Sequence, residues 1–572
     1  MPTTPEVASH AQLAAVFARA FPALTERLAR SIPDPDVERL VEGYVELAHR
    51  VDRVLSKAAL RATQFYASFL SPEILRPFPA ATILELTPPR GAAARVEVPA
   101  GAEFDSVLIE GTRCRFRAHA RFSLVPFRVD DARLVPQGAL GSSLDITLGC
   151  TGAPGAEAPI FPLRLHLAGE RRASLLLLSW VHEHTAGIEL EVAGRTLTLD
   201  PRALRLWGLH RNEPLLPEEP LEHPGFRLLR ELFILPAKFA FFEMTGPDVA
   251  FGGEGRATLR FTFDEPPPPS VAVNREAVRT NCVPVVNVFD ATADPVVPSL
   301  ERPEQLIRPA GFQPEHGEVY AVRDVIARSP NGRTHPVLPA AGFGAANPYA
   351  LPGVFYAIHR MPSASGPGAD VTLTLTAPPD VREPPPELVL SLDLWATQRD
   401  LPAGLGVGAI KTPTLSSPPA TFKNIRAVTP YRAAPEGELS AYHALALVAL
   451  SGRSLADRAS LAGLISALDL HAHHDSQAAR ALVQRIEAID KVTVTATTAR
   501  LGGIFVRGHD VAVTLLENAF DGDGEAFLFG RVIAQLLAHE ARLNAFVRTS
   551  LRLKATGRRY SFAALHGERV LG

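Results

Sequence analysis

Between Ala81 and Pro430 the apolar residues recur mostly at alternate positions, in short runs cut by Gly, Pro and Asp. Ala94-Arg-Val-Glu-Val98, Gly187-Ile-Glu-Leu-Glu-Val192, Ala257-Thr-Leu-Arg-Phe-Thr-Phe263 and Val371-Thr-Leu-Thr-Leu-Thr376 all show it. A period of two sends one set of side chains into a core and the other to water, so these runs predict half-buried antiparallel strands in sandwich-like layers. With 572 residues in the chain, against the roughly 250–300 at which one core stops growing, several domains are expected. The clusters Pro266-Pro-Pro-Pro269 and Pro384-Pro-Pro386 cannot lie in central strands; they read as a domain linker and a strand connector.

Both ends of the chain have a helical texture. Asp34-Pro-Asp-Val-Glu38 has the form of a helix start, with Asp34 as N-cap and Pro35 at the first helical position. After it Val37, Leu40, Val41, Tyr44, Leu47, Ala48, Val51, Val54 and Leu55 recur at three- and four-residue steps. That spacing makes one narrow apolar seam, stable only when another helix covers it. The cover comes either from the preceding Ala11 to Leu28 segment or from another chain. Helical patterns return from Ser454 to Leu468, from Asp475 to Ile489 and from about Gly530 to Arg548, with strand-like Lys491 to Thr495 and Asp510 to Leu516 between them. The expected fold is therefore α+β and multidomain: an N-terminal helical bundle segment over 1–80, a β-rich domain over 81–265, a second over 266–432, and an α+β domain over 433–572.

One stretch departs from all of these textures. Gly225 to Met244 holds five phenylalanines, Phe226, Phe233, Phe239, Phe241 and Phe242, in twenty residues. Burying each ring is worth roughly 1.5–3 kcal/mol, so a core joint is expected rather than an exposed cradle. Gly225 reads as a turn, Leu228 to Leu235 as a short helix, and Pro236 as its break before a Phe-rich strand.

Function classes narrow by exclusion. With 58 basic and 61 acidic residues, a net charge of -3, no field favours nucleic acid or an anionic membrane. The three cysteines, Cys114, Cys150 and Cys282, fit a reducing compartment, and neither a signal peptide nor a membrane span is apparent, so the expected location is cytoplasmic. His471-Ala-His-His474 with Asp475 lacks the further ligands of a zinc site, and Asp521-Gly-Asp-Gly-Glu525 lacks the calcium-loop pattern and reads as a glycine-rich turn. No phosphate loop, dinucleotide fingerprint or nucleophile elbow occurs. The expectation is a protein that is no enzyme and carries no cofactor or metal; a β-rich hydrolase with a metal site near His471 is the contrary reading.

Ordered blocks across the chain resemble one family. Asp34-Pro-Asp-Val-Glu-Arg-Leu-Val-Glu-Gly43, Leu70-Ser-Pro-Glu-Ile-Leu-Arg-Pro-Phe-Pro79, the Gly225 to Phe242 stretch, Thr280-Asn-Cys-Val-Pro-Val-Val-Asn-Val-Phe289, Gln398-Arg-Asp-Leu-Pro402, Phe520 to Gly530 and Leu543-Asn-Ala-Phe546 are similar to the type VI secretion baseplate subunit TssF, also called ImpG or VasA. Ser440-Ala-Tyr-His443 and Tyr560 to Ala564 depart from its tryptophan-containing patterns. The resemblance implies a structural wedge subunit of a contractile injection machine, two copies joining one TssG-like subunit through a helical bundle. TssK-, TssE- and VgrG-like components and the sheath are the further implied partners. A wedge protein of another contractile apparatus or phage tail is the alternative.

Overall fold

In a computed structural model, the described residues run from 47 to 567, without 48, 49, 53, 56, 57, 59, 69, 70, 90, 93, 138–140, 153–157, 220, 221, 252–254, 300–302, 341–353, 377–387, 435–456, 469–475, 502, 503 and 542. Two units separate at residue 62, Met1–Ala62 and Thr63–Gly572. The first is described only at helical positions between 47 and 62. The second is mostly β with helices inserted, an α+β architecture of several sheets.

Its antiparallel strands follow the alternation. Along Arg256–Phe263 the residues Ala257, Leu259, Phe261 and Phe263 are buried while those between them are not. This strand lies at the centre of a five-stranded sheet, between Thr185–Val192 and Gly141–Cys150. A six-stranded sheet is ordered Ile410–Pro413, Glu103–Ile109, Thr112–Arg117, Cys282–Val286, Ala81–Thr87 and Thr421–Asn424. Leu84, Phe104, Phe116, Val285 and Phe422 form its core. Two four-stranded sheets, one built on Glu318–Arg328 and Val389–Thr397 and the other on Phe355–Pro362 and Ala369–Thr376, share a third core. Residues of both sheets meet in it, as in a sandwich.

Buried amides tie these layers together. The Asn287 side chain donates to the Arg115 carbonyl (2.7 Å) and to Gln398 Oε1 (2.8 Å), and accepts from the Gln398 backbone N–H (2.7 Å). Gln398 in turn accepts from the Arg115 N–H at 2.7 Å and donates to the Arg113 carbonyl at 2.8 Å. Two distant sequence blocks thus meet at one point. Asn281, held at φ 54°, accepts from the Val125 N–H and donates to its carbonyl.

Among the described residues, five further helices lie in the second unit: α1 (Arg171–Glu183), α2 (Pro224–Ile234), α3 (Arg458–Leu468), α4 (Ser476–Glu487) and α5 (Asp523–Glu540). Helix α5 packs against both α1 and α2 and against the strand Ala545–Leu553. Close approach explains its glycine: a Cβ on Gly524 would fall on the backbone of Leu175 and Leu176 in α1. From the other side Gly225, which lies within α2 rather than in a turn, brings that helix against Leu536. One hydrophobic core therefore reaches from Ala67 through the middle of the chain to Phe562. The last helix starts seven residues before the expected Gly530 and ends at Glu540, and Ala545–Leu553 is a strand parallel to Ile504–Leu515. Gly522 (φ 101°) is its N-cap, and Glu525 Oε2 accepts the Asp521 N–H at 2.7 Å, so the glycine-rich segment is the helix entry itself.

A buried charged joint and an exposed helical seam

The Phe-rich stretch is built from three consecutive elements. Helix α2 carries Phe226 and Phe233, a 3-10 turn spans Pro236–Phe239, and the strand Phe241–Met244 follows. Phe226, Phe233, Phe239, Phe241 and Phe242 are all buried; Pro236 is partly exposed at the first position of the turn. Phe241 packs between His166 and Trp207, with ring centroids 4.3 and 5.3 Å away, and Phe242 meets Phe261 edge-on at 5.7 Å.

Charged residues from the same stretch are buried with the rings. Arg227, Arg230, Glu231 and Lys238 are each 2 % exposed or less. Glu231 pairs with Lys238, lies 3.8 Å from Arg227, and accepts the Leu215 and Leu216 N–H groups at 2.7 and 3.1 Å. Burial lowers the pKa of Lys238, and the Glu231 charge opposes that shift. One helical turn away, Arg230 reaches Glu222 and the Tyr320 hydroxyl, each at 3.4 Å, and lies over the Phe78 ring. Arg76 binds Glu219 through two hydrogen bonds of 2.9 and 2.7 Å. Burial pushes the Glu219 carboxyl up, but Arg76 outweighs it and holds the group below its usual range. Beyond Tyr320, Arg360 bonds the Val319 carbonyl at 2.9 Å and pairs with Glu318, which also receives the Tyr431 hydroxyl. The Gln64 side chain exchanges two bonds with the Arg360 backbone, 2.9 and 3.0 Å. Buried charges must be paired to be tolerated, and here the Arg76–Glu219 pair links segments 143 residues apart.

Glu73 is the exception within this joint. It is fully buried and neither carboxylate oxygen has a hydrogen-bond partner. Burial raises its pKa to about 7. A folded-state value above the unfolded one means that the proton is bound more tightly in the native chain. The favourable contribution is complete below the unfolded value, about 4.5, and is lost as pH rises through 7. Glu73→Gln, which keeps the shape and removes the charge, is expected to leave stability nearly unchanged at pH 4 and to raise it by about 3 kcal/mol at pH 8. Thermal melts of both chains across that range check this; a gain equal at both pH values would show that Glu73 does not titrate in the fold.

Of the seam residues, Val37, Leu40, Val41, Tyr44 and Ala48 lie outside the described residues. Leu47, Val51, Val54 and Leu55 are helical and 59, 51, 62 and 62 % exposed. The proposed helix start at Asp34 and the segment Ala11 to Leu28 are likewise outside them, as are His471 to Asp475. Among the described residues no three His, Cys, Asp or Glu side chains converge to hold a metal, and no helix is long and apolar enough to cross a membrane. His182 and His184 pair with Glu183 and Asp264, each at 2.8 Å. A recess of about 610 Å³ is lined by Arg115, Asp290, Arg323 and Asp393, and Asp290 there is bound to Arg117, Arg323 and Trp395.

Sequence reasoning marked the rings but not the buried charges. Arg227 and Glu231 stand four residues apart, which on a helix reads as a solvent-facing ion pair. Their only sequence signal was position: they lie on a helix whose other faces carry Phe226, Leu229 and Phe233, leaving little surface to face water.

The chain is similar to known proteins over most of its length. The chain is 26% identical to the type VI secretion system component TssF1 of Pseudomonas aeruginosa, over 97% of this chain and 96% of that protein. Its fold is similar to a chain in the structure of a type VI secretion TssK-TssF-TssG baseplate subcomplex, with a TM-score of 0.77, 25% identity, and coverage of 94% of this chain and 100% of the other. A chain of the baseplate complex from the type VI secretion system shares the fold at a TM-score of 0.62 and 22% identity, over 99% of both chains. The family model for the type VI secretion system protein TssF matches residues 5–569, and with that match the chain belongs to the TssF family.

Proposed function

We propose that this chain is a structural subunit of a type VI secretion baseplate, forming a wedge with a TssG-like subunit and a second copy of itself. A TssK-like protein binds the same wedge, and TssE- and VgrG-like components and the sheath are its further neighbours. The wedge works on the cytoplasmic side and carries no catalytic site. The observation that supports this reading most directly is the helical run Leu47, Val51, Val54 and Leu55, apolar and more than half exposed in a member of the TssF family. Such a stripe is unfavourable in water and favourable once other helices cover it. In this reading the seam from Val37 to Leu55 joins an intermolecular bundle, while the Phe-rich joint holds the second unit rigid around α2.

Native mass spectrometry of the chain co-expressed with its TssG-like partner tests this. Two copies per partner are expected. Burial of one Val or Leu side chain is worth roughly 1.5–3 kcal/mol, so Val51→Asp with Leu55→Asp should weaken the complex at least a hundredfold. The melting of the second unit should stay where it was. A complex that survives both substitutions would exclude the seam as its interface, and a monomer indifferent to the partner would exclude the wedge.

A further inference from the structure

Between the turn Pro72–Leu75 and the stretch that leads into α2, three carboxyl groups are buried against two guanidinium groups. Glu73 is fully buried, and the Glu219 and Glu222 side chains nearly so. Arg76 is committed to Glu219 by its two hydrogen bonds; further out, Arg227 lies against Glu231, Arg360 against Glu318, and the His223 ring meets Glu540 at 3.2 Å. Arg230 remains. It reaches Glu222 Oε1 at 3.4 Å, its charge also acts on Glu73, and the Tyr320 hydroxyl meets it from the strand Glu318–Arg328. Among the described residues, Glu73 and Glu222 therefore share one cation.

Charge balance limits what the two acids can do. With both ionised the site would hold one carboxylate too many, and neither oxygen of Glu73 nor Glu222 Oε2 has a hydrogen-bond partner among the described residues. A buried carboxylate without partners takes up a proton instead. With both neutral, Arg230 would become the uncompensated buried charge. One carboxylate and one acid leave the site neutral. Two acids competing for one counterion are driven to this state, and the proton then belongs to the pair rather than to either residue. Burial strengthens proton binding at both, raising Glu73 to about 7 and Glu222 well above its usual range, while Arg230 opposes the shift in each.

We propose that Glu73 and Glu222 hold one proton between them and that this proton is a latch, keeping the turn Pro72–Leu75 closed on α2. Its loss leaves two buried carboxylates facing Arg230, and the turn parts from the helix. Gln64 and Ala67 lie shortly before the turn, the first bonded to the Arg360 backbone and the second in the core, so the segment by which the chain enters the second unit loosens with it. The sign follows from proton binding that is tighter in the folded chain: the contribution is complete below the unfolded value, about 4.5, and is lost as pH rises through about 7. The latch lies within one chain and holds whatever that chain assembles with.

Infrared difference spectra of the full chain at pH 6, where ordinary carboxyl groups are ionised, detect the neutral acid directly. One carboxylic-acid band is expected to be lost in full in Glu73→Gln and equally in Glu222→Gln, because either change leaves the remaining carboxyl to pair with Arg230. A band lost in only one variant, or in neither, overturns the shared proton. Opening is read by amide exchange across residues 73–76 and α2 at pH 6 and pH 8.5, corrected for the intrinsic base-catalysed rate. Corrected exchange in the parent is expected to rise at least tenfold, the factor that one pH unit gives when one bound proton is lost, and to stay level in both variants. A parent that does not change, or variants that rise as far as the parent, overturn the latch. Glu73→Gln/Glu222→Gln leaves Arg230 without a carboxylate and should exchange at least tenfold faster than either single variant at both pH values; a double variant as well protected as the single ones overturns the pairing with Arg230.

Discussion

Replacing Glu231 with alanine is expected to destabilise the second unit by about 3–5 kcal/mol, the cost of stranding buried charge. Three groups lose their acceptor together. Lys238 would stay behind as a buried ammonium, and the Leu215 and Leu216 N–H groups would have no carboxylate to meet them. Denaturant unfolding, read alongside amide exchange in α2, measures the loss. A Lys238→Met partner substitution separates the causes: in Glu231→Ala/Lys238→Met the stranded ammonium is gone, so the double variant should be less destabilised than the sum of the two single changes. A Glu231→Ala loss below about 1 kcal/mol would mean that water reaches the site and that the joint is softer than its burial implies.

The second large effect is expected at Gly524. On an exposed helix, glycine to alanine stabilises by up to about 1 kcal/mol. Here the sign should reverse, because the added methyl meets the backbone of Leu175 and Leu176, which cannot rotate away as a side chain could. Parting α1 from α5 is expected to cost about 3 kcal/mol, at the upper end of overpacking effects. Equilibrium unfolding of Gly524→Ala checks it, and a variant as stable as the parent would show that the helices do not touch there.

The β-rich middle was legible because its alternation is regular: Arg256–Phe263 buries every second residue from Ala257 onward. Helix α1 was not. Its core, Leu175-Leu-Leu-Leu178, is an unbroken apolar run, and such a run has no period to separate a buried helix from a buried strand. The end of α5 was misplaced for a related reason. Ala545 to Leu553 alternates, yet its first residues extend the helical spacing of the segment before it, and parallel pairing with Ile504–Leu515 decides the matter. The aromatic half of the joint could be read from composition alone. Its ionic half could not, since whether Arg230 meets solvent or Glu222 and Tyr320 depends on segments far away in the chain. Asn287 and Gln398 belong to the same class: each is an ordinary polar residue until the fold brings 111 positions of chain together.

Apolar layers resist being pulled apart but glide sideways at little cost, because one methyl contact replaces another. A carboxylate held at once by an ammonium and two backbone donors has no such neighbouring position; moved sideways by a bond length, it leaves all three behind. The joint around α2 therefore acts as a dowel between greased plates. In the wedge proposed above, that would fix where this subunit can yield to shear: between its sheets, and not at α2.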